Sequence, residues 1–263
     1  MKLTLIITTY NWPESLSLVI ESIKSQSILP DEIIIADDGS SQETKKLITK
    51  YKEESELNII HSWQTDIGFR VARSRNKAIF KSTGDYIILI DGDVILHSNF
   101  VKDHITVAEP GYFIQGSRVL LTEKKTQRSL AKNNIQFSFF SDGIKNRKNS
   151  IHSEVLSIIF SNKKNHLKGI KSCNMAFYKK DCCDINGFNN EFEGWGREDS
   201  EFIVRLMNNG IRRKSIHFKA IQFHLWHNEN IRISLDENNA ILQGAIKKNS
   251  QWCNNGINSI KKL

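Results

Sequence analysis

One stretch of the sequence restricts the possible folds more than any other, the ten residues from Gly84 to Asp93. Tyr86 to Ile90 form an uninterrupted apolar and aromatic run, rich in β-branched side chains and too short for a free-standing helix. Such a run indicates a strand buried on both faces of a parallel sheet. The run ends at Asp91 and Asp93, and ligands bind beyond the carboxyl ends of such strands. We therefore expect both aspartates to lie at a functional site.

Strands and helices alternate over the first 95 residues. Apolar and β-branched runs predict three further strands at residues 3–9, 33–36 and 58–61. Helices follow them, one beginning at Pro13 and another covering residues 71–80. This alternation predicts an α/β fold with a mostly parallel sheet and helices on both faces.

The second half of the chain is less regular. Residues 112–121 predict one or two strands, residues 172–178 another, and residues 221–227 a last strand-like segment. A helix begins at Glu198. Residues 122–170 are rich in Lys, Asn and Ser and indicate loops and short helices.

Composition narrows the classes of function. No apolar run approaches the roughly 20 residues of a membrane span, and the first residues lack signal-peptide flanks, which predicts a cytoplasmic protein. Four cysteines without paired CxxC spacing indicate reduced structural thiols. Thirty-seven basic and 29 acidic residues give a net charge of +8, which suits nucleic acid, an anionic membrane face or an anionic small substrate.

Asp91 and Asp93 have two interpretations. Residues two apart on a strand point to one face, and Gly92 between them leaves room for a ligand to approach closely. Two carboxylates with open coordination positions suit Mg²⁺ or Mn²⁺. Asp-Gly-Asp by itself is better explained as a solvated turn after a strand.

A second pair of acids follows another predicted strand. Asp37 and Asp38 therefore share the sheet edge with Asp91 and Asp93, and four neighbouring carboxylates repel one another unless cations or donors offset them. A nucleotide with a metal ion supplies both, with the base donating to Asp38. Arginines just before the acidic strand, Arg75 among them, match phosphate or ribose oxygens.

The segment Gly194–Asp199 places a tryptophan between two glycines and two acids at a helix start. Acids there are ordinary helix N-terminal chemistry. The glycines on either side leave the Trp195 ring uncovered, which suits stacking against a sugar ring. A neighbouring carboxylate can act as a general base. His224 and His227 are either core histidines or ligands that complete a divalent site with Asp93.

Together these residues resemble a family 2 glycosyltransferase of the nucleotide-sugar-binding GT-A type. The second half, from Asn174 to Asp199, resembles the acceptor half shared by β-1,4-galactosyltransferases and bacterial chondroitin polymerase. The chain departs from the galactosyltransferases at Arg197, where they have glycine. The motifs of the donor half are Thr8-Thr9-Tyr10-Asn11, Asp37-Asp38-Gly39-Ser40, Gly68-Phe69-Arg70 with Arg75-Asn76-Lys77-Ala78, and Asp91-Gly92-Asp93.

The resemblance implies one glycosyltransferase domain over residues 1–263. It comprises a donor half at about 1–100, an acceptor half at about 101–235 and a basic C-terminal tail at about 236–263.

The resemblance also implies a role for each site residue. Asp199 is the base that deprotonates the acceptor hydroxyl. Thr8, Tyr10 and Asp38 would contact the uridine, with Arg75 nearby. Asp91 would contact the ribose or the metal ion, and Asp93 would bind the metal ion together with His224, for which His227 is the rival. Trp195 and Glu198 would contact the acceptor.

The predicted function is an inverting, Mn²⁺- or Mg²⁺-dependent transfer from a UDP-sugar to a saccharide or lipid-linked saccharide. We expect it in bacterial surface polysaccharide or glycolipid synthesis, at the inner membrane face, where basic groups contact anionic lipid. One alternative is a nucleotidyltransferase acting on a sugar phosphate, which would release pyrophosphate. The other is a nucleic-acid-binding protein, which the scattered basic groups and the acidic sheet edge disfavour.

Overall fold

The computed structural model describes residues 1–163, 165–228 and 232–260. Within these ranges the chain alternates strands and helices through its first half, as the apolar runs predict. The elements are β1 (Leu3–Thr9), α1 (Pro13–Lys24), β2 (Glu32–Asp37), α2 (Gln42–Glu54), β3 (Ile59–Trp63), α3 (Val71–Lys81), β4 (Tyr86–Asp91), β5 (Val94–Leu96), α4 (Phe100–Val107), β6 (Tyr112–Gln115), β7 (Arg118–Leu121), α5 (Glu123–Lys132), β8 (Ile144–Lys145), α6 (Glu154–Phe160), β9 (Asn174–Tyr178), α7 (Lys179–Asp184), α8 (Glu198–Asn208), β10 (Arg212–Ser215), β11 (Gln222–His224), α9 (Leu235–Lys247) and α10 (Ile257–Ile260).

A seven-stranded sheet forms the centre of the molecule, in the order β10-β6-β9-β4-β1-β2-β3. All neighbours in it are parallel except β9, which runs antiparallel to both β4 and β6. The mostly parallel sheet is therefore confirmed. Because β9 runs the other way, its first residues lie at the edge where the parallel strands end.

Apolar side chains cover both faces of this sheet. Ile88 and Ile90 of β4 pack with α1 and α4 on one face. Ile87 and Leu89 pack with α3 and α8 on the other. Since alternate residues of one strand enter different cores, the strand requires an apolar side chain at every position. This explains the run that identified β4 in the sequence.

A second sheet, in the order β5-β11-β7-β8, was not predicted. Its strands have two to four residues, too few for a recognisable alternation. The segment at 221–227 is a strand only over Gln222–His224, and the strand expected at 172–178 begins at Asn174.

The predicted basic tail begins inside α9, whose Leu242 and Ala245 pack against Val204 of α8. Helix α10 packs against α3. Residues 261–263 of the predicted tail lie outside the described residues.

Candidate active site

Each of the four predicted carboxylates lies at the carboxyl edge of the large sheet and meets a partner from the chain. Asp37 accepts hydrogen bonds from the Ser40 N–H and pairs with His61 Nε2, both at 2.8 Å. Asp38 accepts from the Arg70 N–H at 2.7 Å and from Gln64 at 2.5 Å. The repulsion that suggested a bound cation is therefore largely offset by the protein itself. The repulsion alone therefore does not require a metal ion, although Asp93 still raises the pKa of Asp91, and a metal site must be supported by other observations.

One such observation is the surroundings of Asp93. Its Oδ2 lies 3.2 Å from His227 Nε2 and 3.6 Å from His224 Nε2. Ligand atoms of all three residues lie within 4.8 Å of one another. The other carboxylate oxygen, Oδ1, is buried and has no hydrogen-bond partner among the described residues. One carboxylate and two imidazoles around an unpartnered oxygen fit a divalent ion such as Mn²⁺.

Strand pairing places these ligands. Strand β11 runs antiparallel to β5 with His224 opposite Val94, and the Leu225 N–H extends the ladder to the Asp93 carbonyl at 2.9 Å. His224 is thus fixed beside Asp93 by the backbone. The sequence offered His224 or His227 as the ligand, and the structure brings both to Asp93. The choice between them stays a prediction.

In this cluster the pKa values of Asp93 and His224 are lowered, whereas that of His227 is raised. Burial would raise the pKa of Asp93, but the charge of His224 and the hydrogen bond from His227 outweigh it and lower the pKa. The same hydrogen bond from His227 to Asp93 raises the pKa of His227 to about 9. Burial lowers the pKa of His224. A neutral imidazole is the form that binds metals, so His224 is the histidine better prepared to ligate.

The prediction that Asp91 and Asp93 point to one face of a strand is wrong. Strand β4 ends at Asp91, and Asp93 lies in the turn that follows it, so the two aspartates do not share a strand face. A Cβ at position 92 would lie 2.9 Å from the Thr8 carbonyl oxygen and 3.0 Å from Thr9 Oγ1. The close approach to β1 by itself requires glycine, and the expected room for a ligand at this position stays a prediction.

Arg75 is the centre of a buried polar network that joins the two halves of the site. Its guanidinium contacts Glu198 at 2.9 Å and Asp91 at 3.3 Å. It also donates to Ser172 Oγ at 2.8 Å and to Thr8 Oγ1 at 3.4 Å. Only 3% of Arg75 is exposed. The N–H groups of Arg75 point to protein acceptors. In this structure Arg75 therefore positions Asp91 and Glu198, and its role near the nucleotide stays a prediction.

Helix α8 begins at the predicted acceptor carboxylates. Glu198 is buried and uses Oε1 for Arg75. Asp199 accepts from its neighbour Ser200 N–H at 2.6 Å. Burial, followed by the negative charge of Glu198, raises the pKa of Asp199 to about 7. A carboxylate with a pKa near neutrality suits a general base.

Trp195 lies in a strained loop before this helix. Gly194, Gly196 and Arg197 all have positive φ, at 71°, 104° and 78°. The glycines serve this backbone conformation, and Arg197 adopts it despite its side chain. The indole is 36% exposed, and the Arg232 guanidinium lies 5.0 Å from its ring centre. The Arg232 guanidinium therefore covers part of the Trp195 ring on which the acceptor sugar was predicted to stack.

The predicted nucleotide residues lie at the ends of β1 and β2. Tyr10 is half exposed, and its hydroxyl donates to Asp66 at 3.0 Å. Thr8 donates to the Ile90 carbonyl at 3.3 Å. Asp38 is only 5% exposed, and burial raises its pKa. Their contacts with uridine stay predictions.

Sequence reasoning missed Arg118 and Ser172. Arg118, on β7, acts by its charge on both Asp91 and Asp93. Ser172 bonds to Arg75 from the loop before β9. Arg118 and Ser172 lie in segments that the sequence identified only as strands, 112–121 and 172–178, and no spacing signal connects them to residues so distant in the chain.

Two family models match the chain. The model described as glycosyl transferase family 2 matches residues 4–183, and the model described as N-terminal domain of galactosyltransferase matches residues 155–228. A curated relative, the chondroitin synthase of Escherichia coli, is 26% identical over 239 residues. The match covers 84% of this chain and 34% of that protein. The chain spans about a quarter to a third of the length of such curated synthases.

Solved structures share the fold. Residues 1–349 of Staphylococcus aureus TarS in complex with UDP superpose with a TM-score of 0.64 at 16% identity, over 95% of this chain and 65% of that one. A mannosyltransferase of Pyrobaculum calidifontis in complex with GDP-Man and Mn²⁺ gives 0.57 at 15% identity, over 87% of this chain and 58% of that one.

Proposed function

This chain belongs to glycosyl transferase family 2, and from that premise we propose that it is an inverting, metal-dependent enzyme that moves a sugar from a UDP-sugar to a saccharide acceptor. We place it in the synthesis of a bacterial surface polysaccharide or glycolipid. One observation carries the proposal: Arg75 ties Asp91, beside the Asp93 cluster, to Glu198, beside Asp199.

The donor side rests on the ends of β1 and β2. Thr8, Tyr10 and Asp38 would hold the uridine, and Asp91 the ribose or the metal ion. The solved TarS structure of the same fold contains UDP, which supports this choice of nucleotide.

The metal site consists of Asp93 with His224, and His227 is the rival ligand. The unpartnered Oδ1 of Asp93 supports the assignment, as does the Mn²⁺ in the mannosyltransferase of the same fold. A bound Mn²⁺ or Mg²⁺ supplies charge neutralisation for the departing diphosphate. Of the two histidines, His224 is the preferred ligand because burial lowers its pKa and so favours the neutral form.

Asp199 is the proposed base. The acceptor hydroxyl oxygen attacks the anomeric carbon while its proton passes to the Asp199 carboxylate. The bond from the anomeric carbon to the diphosphate oxygen breaks, and UDP leaves with the electron pair. A single displacement of this kind inverts the anomeric configuration. Trp195 would stack on the acceptor sugar, and Glu198, held by Arg75, would contact its hydroxyls.

An exchange of Asp199 for asparagine tests this assignment. We expect Asp199→Asn to lose UDP release from a UDP-sugar and to retain UDP binding, because the amide keeps the shape but cannot accept a proton. Asp184→Asn, on the exposed end of α7, is the matched control and keeps both activities. Equal loss of turnover and UDP binding in Asp199→Asn would refute the base role. Release of pyrophosphate in place of UDP would indicate nucleotidyl transfer.

We also propose that helix α6 holds the enzyme at an anionic bilayer. No helix among the described residues is long and apolar enough to cross a membrane. Yet α6 exposes four apolar side chains, including Ile158 at 82%. Residues 144–171 contain seven Lys and Arg and one Glu, which complements anionic lipid. The exposed side chains are Val155, Ile158, Ile159 and Phe160.

Vesicle sedimentation tests this contact. We expect the protein to bind vesicles of phosphatidylglycerol and phosphatidylcholine and not vesicles of phosphatidylcholine alone. Ile158→Glu should weaken binding, whereas Ile28→Glu, an exposed isoleucine outside α6, should not. Equal binding by wild type and Ile158→Glu would contradict the proposal.

A further inference from the structure

A cavity of about 390 Å³ opens beside the active site. Its walls come from the loop between β6 and β7, from β7, from Asn162 and residues 166–174, and from the end of β10. These elements lie on the side of the sheet away from β1 and β2, which carry the predicted uridine contacts. Arg118 and Cys173 line the cavity and interact electrostatically with Asp91 and Asp93. The cavity therefore adjoins the site on its acceptor side.

The charge of this cavity has one sign. Among the described residues no Asp or Glu lines it. The cationic or protonatable side chains that line it are Arg118, His166, Lys171, Arg213 and His217.

Neither of the two arginines forms a salt bridge with a carboxylate among the described residues, although the charge of Arg118 acts on Asp91 and Asp93 from a distance. Arg213 is 6% exposed and donates only to neutral acceptors, His166 Nδ1 and O and the Lys168 carbonyl. Arg118 has a single weak contact, to Cys173 Sγ at 4.0 Å. In both guanidiniums the Nε atom is buried and without a hydrogen-bond partner. Arg213 is a buried cation without a paired carboxylate, which is costly, and Arg118 is half-buried with an unpartnered Nε, so their retention needs a reason.

The cations also repel one another. Partial desolvation and then the charge of Arg118 lower the pKa of Lys171, at the exposed rim. Burial and then the charge of Arg213 lower the pKa of His217. A bound anion would relieve both the repulsion and the missing hydrogen bonds.

We propose that this cavity binds an anionic group of the acceptor saccharide, either a carboxylate or a phosphate. The inference rests on the proposed function, since it assigns the acceptor side of that reaction. Lys171 acts electrostatically on Asp199, so the cavity adjoins the proposed base. An acceptor anchored through its anion would have a nearby hydroxyl directed towards that base.

Calorimetric titration of the metal-free protein in EDTA tests this site with three probes: inorganic phosphate, glucuronate and glucose. We expect phosphate or glucuronate to bind, glucose not to bind, and excess UDP not to displace the anion. Arg118→Gln and Lys171→Gln should each weaken anion binding about tenfold, the scale of a lost charge-assisted hydrogen bond. Lys45→Gln, on α2, is the matched control and should bind as wild type does.

The probes distinguish the two sources of charge. Tighter binding of glucuronate identifies a uronic acid acceptor, and tighter binding of phosphate identifies a phosphorylated one. Similar binding of glucose and glucuronate would overturn the proposal, as would unchanged affinity in both variants. Displacement by UDP would assign the cavity to the donor diphosphate, and displacement by UDP-glucuronate alone would assign it to the donor sugar. Either result would overturn the acceptor assignment.

This binding does not require turnover. Anion binding without any UDP release would refute the proposed function alone. UDP release without anion binding would refute only the cavity assignment. A melting temperature close to that of wild type shows that each variant is folded.

Discussion

Removing the charge of Arg75 should destabilise the protein more than almost any other single polar substitution. Arg75 is 3% exposed and pairs with Glu198 and Asp91, whose side chains are 11% and 33% exposed. Arg75→Gln leaves the buried Glu198 carboxylate without its cation. Breaking a buried ion pair by deleting one partner costs about 3 to 5 kcal/mol. Most of this cost should come from Glu198, because water screens the more exposed Asp91.

This loss of stability can be measured as a fall in Tm. For a chain of this size, 3 to 5 kcal/mol corresponds to a fall in Tm of about 6 to 20 °C. Arg75→Lys keeps the charge but cannot reach four acceptors with one ammonium, so it should lie between wild type and Arg75→Gln. Arg73→Gln, on the same helix and half-buried, should change Tm little.

A double-mutant cycle separates the ion pair from simple loss of packing. Urea unfolding of wild type, Arg75→Gln, Glu198→Gln and the double variant gives the interaction free energy. We expect Glu198→Gln to recover part of the stability lost in Arg75→Gln, because the double variant buries no unpaired charge. Additive losses, or a loss below about 1 kcal/mol in Arg75→Gln, would refute the reasoning.

Two further predictions concern the start of α8. Arg197 has φ 78°, so Arg197→Gly should raise the free energy of unfolding by about 1 kcal/mol in urea; Arg197→Ala, which keeps a Cβ, should show no such gain. The pKa of Asp199 is raised to about 7 in the folded protein, so kcat/KM for UDP release should rise as pH increases through about 7. Ionising Asp199 costs stability as pH rises from its unfolded pKa to its folded one, so Asp199→Asn should exceed wild type in stability above pH 7 but not below pH 4. A flat pH profile, or equal stability of the two proteins at pH 8, would contradict the raised pKa.

The fold could be predicted from the sequence where burial imposes a pattern. Strands β1, β2 and β4 contain continuous apolar runs because both faces of the sheet are covered. The sequence motifs identified the family and the likeness to a galactosyltransferase domain correctly. The short strands of the second sheet carry no such pattern. Strand β5, with three residues, is recognisable only from its pairing with β11.

The site was only partly predictable. Asp93 and the histidines were expected together, and β-sheet pairing brings them together. The partners of Arg75 were not predictable, because Ser172 and Glu198 are about one hundred residues away from it along the chain. The packing of Gly92 against β1 was not predictable, because only the register of β1 and β4 reveals it.

The basic residues that line the cavity could not be predicted as a group from the sequence either. Arg118, Lys171 and Arg213 come from three separate elements, and none belongs to a motif. In the sequence they are scattered basic residues, indistinguishable from solvated ones. Only the folded structure shows that they line one cavity to which no Asp or Glu among the described residues contributes.

The central claim is tested most directly by UDP release from a panel of UDP-sugars, measured with Mn²⁺, with EDTA, and with Mn²⁺ restored. The account predicts that at least one UDP-sugar releases UDP, that EDTA abolishes the release, and that Mn²⁺ restores it in wild type but not in Asp93→Asn. UDP release that is unchanged by EDTA and by Asp93→Asn would contradict the account.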